Sequence, residues 1–134
     1  TNPPPNLACR CFTHSTETIL WAKKNDKKSR HFFDYQKMKE MNGGKQMKDV
    51  WTGALTKPSE KTEGKHPTQK PEYLLEKIVL ASTEKGQVIL DPFCGSGTTG
   101  VEAVRFGRKF VGIDVSEEYL EISKKRLEKV ANDT

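Results

Sequence analysis

One stretch, residues 88–100, constrains the fold of this chain more than any other. A short apolar run of strand character ends at Asp91, and a glycine-rich turn then opens onto a sequence of helical character. Asp114 follows at the end of a second apolar run. This order of strand, turn, helix and distal acid is typical of a nucleoside-cofactor site in a βαβ unit, whereas a turn that merely joins strand to helix is the simpler alternative. The turn glycines have the spacing G-x-G-x-x-G: Gly95, Gly97 and Gly100.

The charge of Asp91 indicates which cofactor such a site would take. In a dinucleotide site the pyrophosphate lies on the helix N-terminus, where a carboxylate would repel it by about 4 kcal/mol per charge pair at 4 Å and an effective dielectric of 20. S-adenosylmethionine (SAM) has the opposite preference, because it carries an ammonium and a sulfonium and no phosphate. A phosphate-binding loop is disfavoured as well, since no Gly-Lys-Ser/Thr follows the turn. The residues therefore favour SAM, with NAD(P) as the weaker alternative.

The composition limits the class of protein. A chain of 134 residues is one domain at most, and no apolar run approaches the length of a membrane span. No signal-peptide pattern opens the chain, and an odd count of 3 cysteines then indicates a reducing cytoplasm. Cys9, Cys11 and His14 lie close together, but they lack a second ligand pair of zinc-like spacing, so we predict no metal site.

The net charge of +5 is concentrated in the middle of the chain. Residues 23–70 contain 13 Lys and Arg against 6 Asp and Glu, whereas residues 71–134 contain 9 against 11. This asymmetry favours a polyanionic partner, most simply nucleic acid, although a solvated lysine-rich loop would look the same. Aromatic residues within the basic stretch could stack on bases or anchor it to its own core: Phe32, Phe33, Tyr35 and Trp51. The candidate DNA contacts are Lys27, Lys28, Arg30, Lys45 and Lys48.

Local patterns predict alternating strands and helices in the second half, and hence a parallel sheet with helices on its faces. In the first half they predict a strand over residues 16–22, a short helix over 34–41 and an exposed loop over 53–66. In the second half they predict a helix from Pro71 to Gly86, a short buried strand over 87–90, a helix over 96–106, a strand over 109–113 and a final helix capped by Ser116.

Taken together, these motifs resemble the beta class of DNA amino-methyltransferases, bacterial restriction-modification enzymes that methylate adenine N6 or cytosine N4. Residues 91–99 are similar to the SAM motif of that class, and residues 66–71 (His-Pro-Thr-Gln-Lys-Pro) to the motif that precedes it. Residues 110–114 are similar to its ribose-binding strand, and residues 13–21 to another of its strands. Residues 42–51 look most like adenine N6 members, and the resemblance covers nearly the whole chain.

The resemblance implies an α/β, Rossmann-like class I SAM-dependent methyltransferase fold with permuted motif order. One strand-helix-strand-helix unit cannot complete its seven-stranded sheet, so the fold is expected to be incomplete in this chain, with the missing strands upstream of Thr1. The implied regions are 1–24, a late strand region of the catalytic subdomain; 25–65, a basic target-recognition and DNA-contact segment; and 66–134, the SAM-binding βαβα unit. The implied partners are double-stranded DNA and the N-terminal portion of the same enzyme.

Each predicted cofactor residue has an expected role. Asp91 faces the cofactor ammonium, Asp114 accepts from the ribose hydroxyls, and Phe93 packs nearby. The resemblance also implies that residues 68–70 lie beside the methionine carboxylate. The full predicted cofactor-binding set is Thr68, Gln69, Lys70, Asp91, Phe93, Cys94, Gly95, Ser96, Gly97, Thr98 and Asp114.

No catalytic residue is predicted within this chain. The family binds the target amine with an Asp/Asn/Ser-Pro-Pro-Tyr/Phe motif whose aromatic ring stacks on the flipped base. Residues 2–5 read Asn-Pro-Pro-Pro, with proline in place of the ring, and they stand just before a late family strand. We therefore reject this stretch and expect the motif further upstream. The predicted function is site-specific DNA methylation, adenine N6 by resemblance. A non-catalytic DNA-binding specificity module and, less favoured, an NAD(P)-linked oxidoreductase are the alternatives.

Overall fold

The computed structural model describes residues 10–13, 15–24 and 30–133. Its elements, in chain order, are α1 (Tyr35–Met41), a 3-10 helix (Pro58–Lys61), α2 (Glu72–Ser82), β1 (Val88–Asp91), α3 (Thr98–Arg105), β2 (Lys109–Gly112) and α4 (Glu117–Asn132). The two strands pair in parallel, and α3 is the crossover between them. The predicted parallel α/β arrangement is therefore present, as a two-stranded sheet in the described residues.

One layer of helices covers one face of the two-stranded sheet. Helix α3 packs against both strands, and α2 and α4 flank it. Side chains alternate along each strand, so Ile89 and Phe110, which are in register, share the helical side. Within the described residues nothing covers the opposite face, which is lined by apolar side chains that are 48–62% exposed: Val88, Leu90, Val111 and Ile113.

The basic segment is attached to this layer through α1. Asp34 caps α1 by accepting a hydrogen bond from the Lys37 backbone N–H, and Met38 is buried with Leu80 and Ala81 of α2. Met41, Met47 and Phe106 pack around this cluster. The predicted helix over residues 34–41 is confirmed, and the methionines of this region pack against α2.

Three expectations about the elements were wrong. Residues 16–22 form no strand, because no neighbouring strand among the described residues is available to pair with them. Residues 53–66 are not simply an exposed loop: they include the 3-10 helix, Gly53 lies against the ring of Tyr73, and Gly64 lies against Ile122 of α4. Strand β1 is buried on one side only, since a second helical layer is absent from the described part of the chain.

Several predicted positions lie outside the described residues. They are the Asn-Pro-Pro-Pro stretch at 2–5, Cys9, His14, Lys27 and Lys28. None of the helices in the described ranges could span a lipid bilayer.

Candidate cofactor site

The glycine-rich turn connects the carboxyl end of β1 to the start of α3. The Cys94 N–H donates to the carbonyl of Ile113, which ties the turn to the end of β2 (2.9 Å). The Gly97 N–H donates to the Cys94 carbonyl at 2.8 Å, and Gly97 then caps α3 in the left-handed conformation, with φ +75°. The turn therefore lies at the carboxyl edge of the sheet, where parallel α/β proteins bind ligands.

Two glycines are required by close neighbours as well as by backbone conformation. A Cβ at Gly97 would lie 2.1 Å from the Ser123 hydroxyl of α4. A Cβ at Gly95, where φ is +50°, would lie 3.0 Å from Nε2 of His66. The turn thus packs against α4 on one side and against His66 on the other. A glycine at each contact leaves room for this close approach.

Two carboxylates flank the turn at the strand ends. Asp91 accepts hydrogen bonds from the Phe93 N–H (3.1 Å) and from the Thr99 hydroxyl (2.7 Å). Asp114 accepts from the Gly95 N–H (2.8 Å) and from the Ser116 N–H (3.0 Å). Neither makes an ion pair with a Lys or Arg in the described ranges, so both charges remain uncompensated there.

The backbone of the site stabilises the ionised form of Asp114. Hydrogen bonds from the Ser116 and Gly95 N–H groups lower the pKa of this carboxyl, and the nearby His66 adds a smaller effect in the same direction. Cys94 shows the opposite behaviour, because burial and then the negative charges of Asp114 and Asp91 raise the pKa of its thiol. The site therefore presents negative charge and a neutral thiol.

Each carboxylate oxygen of Asp91 and Asp114 has one partner and retains capacity for another, since an ionised carboxylate offers about four acceptor sites. A ligand with an ammonium and two hydroxyl groups fits that acceptor set. A phosphate would meet two negative charges across a narrow turn. The residues present therefore fit SAM better than a dinucleotide.

His66 and Tyr119 belong to this site, although neither is in the predicted cofactor-binding set. Their rings meet edge to face, with centroids 4.2 Å apart. Nδ1 of His66 accepts from the Thr68 N–H at 3.3 Å, which orients the imidazole beside Gly95. The His-Pro-Thr-Gln-Lys-Pro motif thus reaches the turn, but through its histidine.

The three residues of that motif that are predicted to bind the cofactor, Thr68, Gln69 and Lys70, have surroundings that differ from one another. Thr68 is exposed near His66. Gln69 is buried, and its side-chain nitrogen donates to the Glu60 carbonyl (2.6 Å), while its Oε1 has no partner among the described residues. The Lys70 ammonium pairs with Glu17 at 2.6 Å. These three residues are therefore adjacent in sequence but face different surroundings.

The remaining turn residues differ in how far they are exposed to solvent. Phe93 is 87% exposed just after the end of β1. Ser96 and Thr98 are buried, and the guanidinium of Arg126 donates to the Ser96 carbonyl and to the Thr98 hydroxyl. The Thr98 hydroxyl, expected on the cofactor side, is therefore turned inward because Arg126 occupies it. No pattern in the sequence pointed to Arg126, which is 28 residues from Thr98.

The basic segment is partly anchored to the helical layer. Trp51 donates from its indole N–H to the Lys48 carbonyl (2.7 Å), and the Lys77 ammonium lies 5.3 Å from the centre of its ring. The side chains of Arg30, Lys45 and Lys48 are exposed. Trp51 therefore serves as an anchor, whereas these basic residues face solvent.

Comparison with known proteins agrees with this geometry. The profile of the N6/N4 DNA methylase family matches residues 1–125. The chain belongs to the N6/N4 DNA methylase family. This confirms the predicted family and the Rossmann-like α/β class, present here in part.

Close relatives of this DNA methylase are type II methyltransferases. The chain is 73% identical over 131 residues to M2.LlaDCHI of Lactococcus lactis subsp. cremoris, covering 98% of this chain and 49% of the relative. It is 73% identical over 128 residues to M2.DpnII of Streptococcus pneumoniae, covering 96% and 48%. The chain thus spans about half the length of the curated relatives that it matches.

A solved structure of the family is also similar. The crystal structure of an M1.HpyAVI–SAM complex superposes with a TM-score of 0.57 at 32% identity, covering 75% of this chain and 46% of that one. The similarity therefore extends to a family member in which SAM is bound.

Proposed function

We propose that this chain is part of a site-specific enzyme that transfers a methyl group from SAM to the exocyclic amine of a flipped base. The proposed target is N6 of adenine. The observation that carries the proposal is the pair of uncompensated carboxylates, Asp91 and Asp114, on either side of a left-handed glycine turn. When bound, SAM supplies an electrophilic methyl group on a sulfonium. Its cationic part matches the charge of this turn, and membership of the family supplies the reaction class.

The residues of the chain would bind and orient the cofactor. Gly95 and Gly97 allow close approach to the turn, Asp91 would accept from the cofactor ammonium, and Asp114 would accept from the ribose hydroxyls. Lys70 would reach the methionine carboxylate by leaving its exposed ion pair with Glu17, which costs little because exposed pairs contribute at most about 1 kcal/mol. Thr68, two residues before Lys70, is also exposed.

DNA would be bound through the basic segment. The exposed cations Arg30, Lys45 and Lys48 would contact phosphates, which orient the duplex without reading its sequence. The names of the type II relatives support a site-specific DNA substrate. The choice of adenine depends on the resemblance of residues 42–51 to adenine N6 members.

The base-binding tetrapeptide would come from another part of the protein. An apolar sheet face of this kind has to be covered to be stable in water, and the relatives are about twice as long as this chain. We infer that the N-terminal portion of the same enzyme covers the face and supplies the tetrapeptide. Such an enzyme would act on DNA in the bacterial cytoplasm.

Methyl transfer can be measured directly. The intact protein is incubated with methyl-labelled SAM and double-stranded DNA, and the DNA is then digested to nucleosides. We expect labelled N6-methyladenine, strongly reduced in Asp114→Ala and unchanged in Glu63→Gln, which removes the carboxylate paired with Lys129 of α4. Labelled N4-methylcytosine would contradict the choice of adenine. DNA binding without any label would instead favour the non-catalytic specificity module.

A further inference from the structure

Arg126 is an unusual residue for the middle of α4. Its side chain is only 6% exposed, although an arginine in a helix this rich in charged residues is expected to face solvent. One nitrogen, Nη1, donates to the Ser96 carbonyl at 2.8 Å and to the Thr98 hydroxyl at 3.0 Å. The other, Nη2, donates to Glu72 at 3.0 Å. A buried guanidinium needs such partners, since burial of an unpaired charge is costly.

These contacts hold one peptide group of the turn from both sides. The peptide unit between Ser96 and Gly97 is planar, so its carbonyl and its N–H turn together. The carbonyl accepts from Arg126, while the N–H of Gly97 donates to the Cys94 carbonyl at 2.8 Å. The plane of this peptide, and with it the direction of the turn, is therefore set by Arg126 as well as by the turn itself.

The same guanidinium links the turn to the segment that carries the His-Pro-Thr-Gln-Lys-Pro motif. Glu72, which accepts from Arg126, begins α2 directly after that motif, and its backbone N–H donates to Glu60 at 2.9 Å. The Glu60 carbonyl in turn accepts from the Gln69 side chain at 2.6 Å. A continuous series of hydrogen bonds thus joins the two halves of the candidate cofactor site.

We propose that Arg126 is a positioning residue for SAM: together with Glu72 it holds the glycine turn and the segment at residues 66–71 in one arrangement, so that both face the same ligand. This inference rests on the proposed function. Arg126 touches the inner side of the turn, so it acts on the cofactor through Ser96 and Thr98 without contacting it.

The test compares Arg126→Gln and Arg126→Lys in the intact protein. We expect Arg126→Gln to weaken SAM binding in calorimetry by about tenfold or more, because it removes charge-assisted hydrogen bonds from the turn. Arg126→Lys keeps the positive charge but loses the paired N–H donors of the guanidinium. Its SAM affinity should therefore lie between those of Arg126→Gln and the wild type. The KM for SAM should rise in parallel, while the KM for DNA stays within about twofold of the wild type. Lys129→Gln, one turn further along α4 on an exposed pair with Glu63, is the matched control and should bind SAM normally.

The readout separates positioning from simple destabilisation. A destabilised variant has less active enzyme, which lowers kcat at an unchanged KM for SAM; that result in both variants would overturn the inference. So would variants that melt like the wild type and bind SAM equally well. Where Arg126→Gln does not fold, Glu72→Ala removes the acceptor of the same link. The effect of Glu72→Ala on SAM affinity should be much smaller in the Arg126→Lys background than in the wild type. If the wild-type protein itself binds no SAM, the proposed function fails and this inference fails with it.

Discussion

At Gly97 two physical constraints coincide. The residue has a φ of +75°, and an added Cβ would meet Ser123 Oγ at 2.1 Å and Ser123 Cα at 3.1 Å. The left-handed conformation alone costs an ordinary residue about 1 kcal/mol. The clash with the α4 backbone adds about 1–3 kcal/mol more, because α4 must move to relieve it.

Gly97→Ala should therefore lower the free energy of unfolding of the intact protein by about 2–4 kcal/mol. The matched control is Gly44→Ala, where φ is +79° but no atom lies within 4 Å of the added Cβ, so only the conformational cost applies. Urea unfolding of the two variants measures the difference. Equal losses would show that α4 does not press on the turn.

Some residues of the candidate site can be predicted from the sequence and others cannot. Asp91, Gly95, Gly97 and Asp114 were predicted because their spacing repeats a pattern that the chemistry of the turn imposes. Arg126 carries no such signal, since the residues that it contacts are 28–54 positions away and only folding brings them together. The inward orientation of Thr98 was missed for the same reason.

At the scale of elements, the interface between α2 and α3 contains an ionisable group with an unusual environment. Glu102 of α3 is fully buried, and its Oε2 has no hydrogen-bond partner in the described part of the chain. Burial, reinforced by the negative charges of Glu72 and Glu76 and opposed by Arg105, raises the pKa of this carboxyl to about 7. The folded protein therefore keeps this carboxyl protonated up to a higher pH than a solvent-exposed glutamate.

The sign of the resulting pH dependence follows from linkage. Between the ordinary glutamate pKa of 4.5 and about 7, the folded state binds a proton that the unfolded state has released, so this group makes the protein less stable as the pH rises. Glu102→Gln cannot ionise. Its stability relative to the wild type should thus increase from pH 5 to pH 8, by up to about 3 kcal/mol.

Urea unfolding of both proteins at several pH values tests this, because contributions from all other groups cancel in the difference. Glu63→Gln is the control of opposite sign. Hydrogen bonds from Lys129 and Thr62 lower the pKa of Glu63, so that carboxylate stabilises the fold above its unfolded pKa. A difference between Glu102→Gln and wild type that does not change with pH would contradict the assignment.

The elements of the second half were predictable because each has a local start or stop signal. Ser116 caps α4 by accepting from the Tyr119 N–H, with Glu117 and Glu118 in the first turn. The stretch at residues 16–22 was predicted as a strand from its β-favouring residues alone. A strand also needs a neighbour, and local sequence does not say whether one is within reach.

At the scale of the whole molecule, the exposed apolar sheet face is the main feature to explain. Leu90 on this face is 60% exposed, and Leu55, in the segment between α1 and the 3-10 helix, is 65% exposed. If the rest of the enzyme covers the sheet, Leu90→Ala should lower the unfolding free energy of the intact protein by about 2–3 kcal/mol. Leu55→Ala should change it by less than about 0.5 kcal/mol. Similar small effects for both leucines would show that the face stays open.

The central claim is that the acid at the end of β1 selects a cationic methyl donor over a phosphate-bearing cofactor. Calorimetric titration of the intact protein with SAM and with NADH, in wild type and Asp91→Asn, tests it most directly. We expect SAM to bind the wild type and NADH not to bind, with the SAM affinity about tenfold weaker in Asp91→Asn because one charge-assisted contact is lost. Binding of NADH to the wild type, or SAM binding that does not depend on Asp91, would contradict the account.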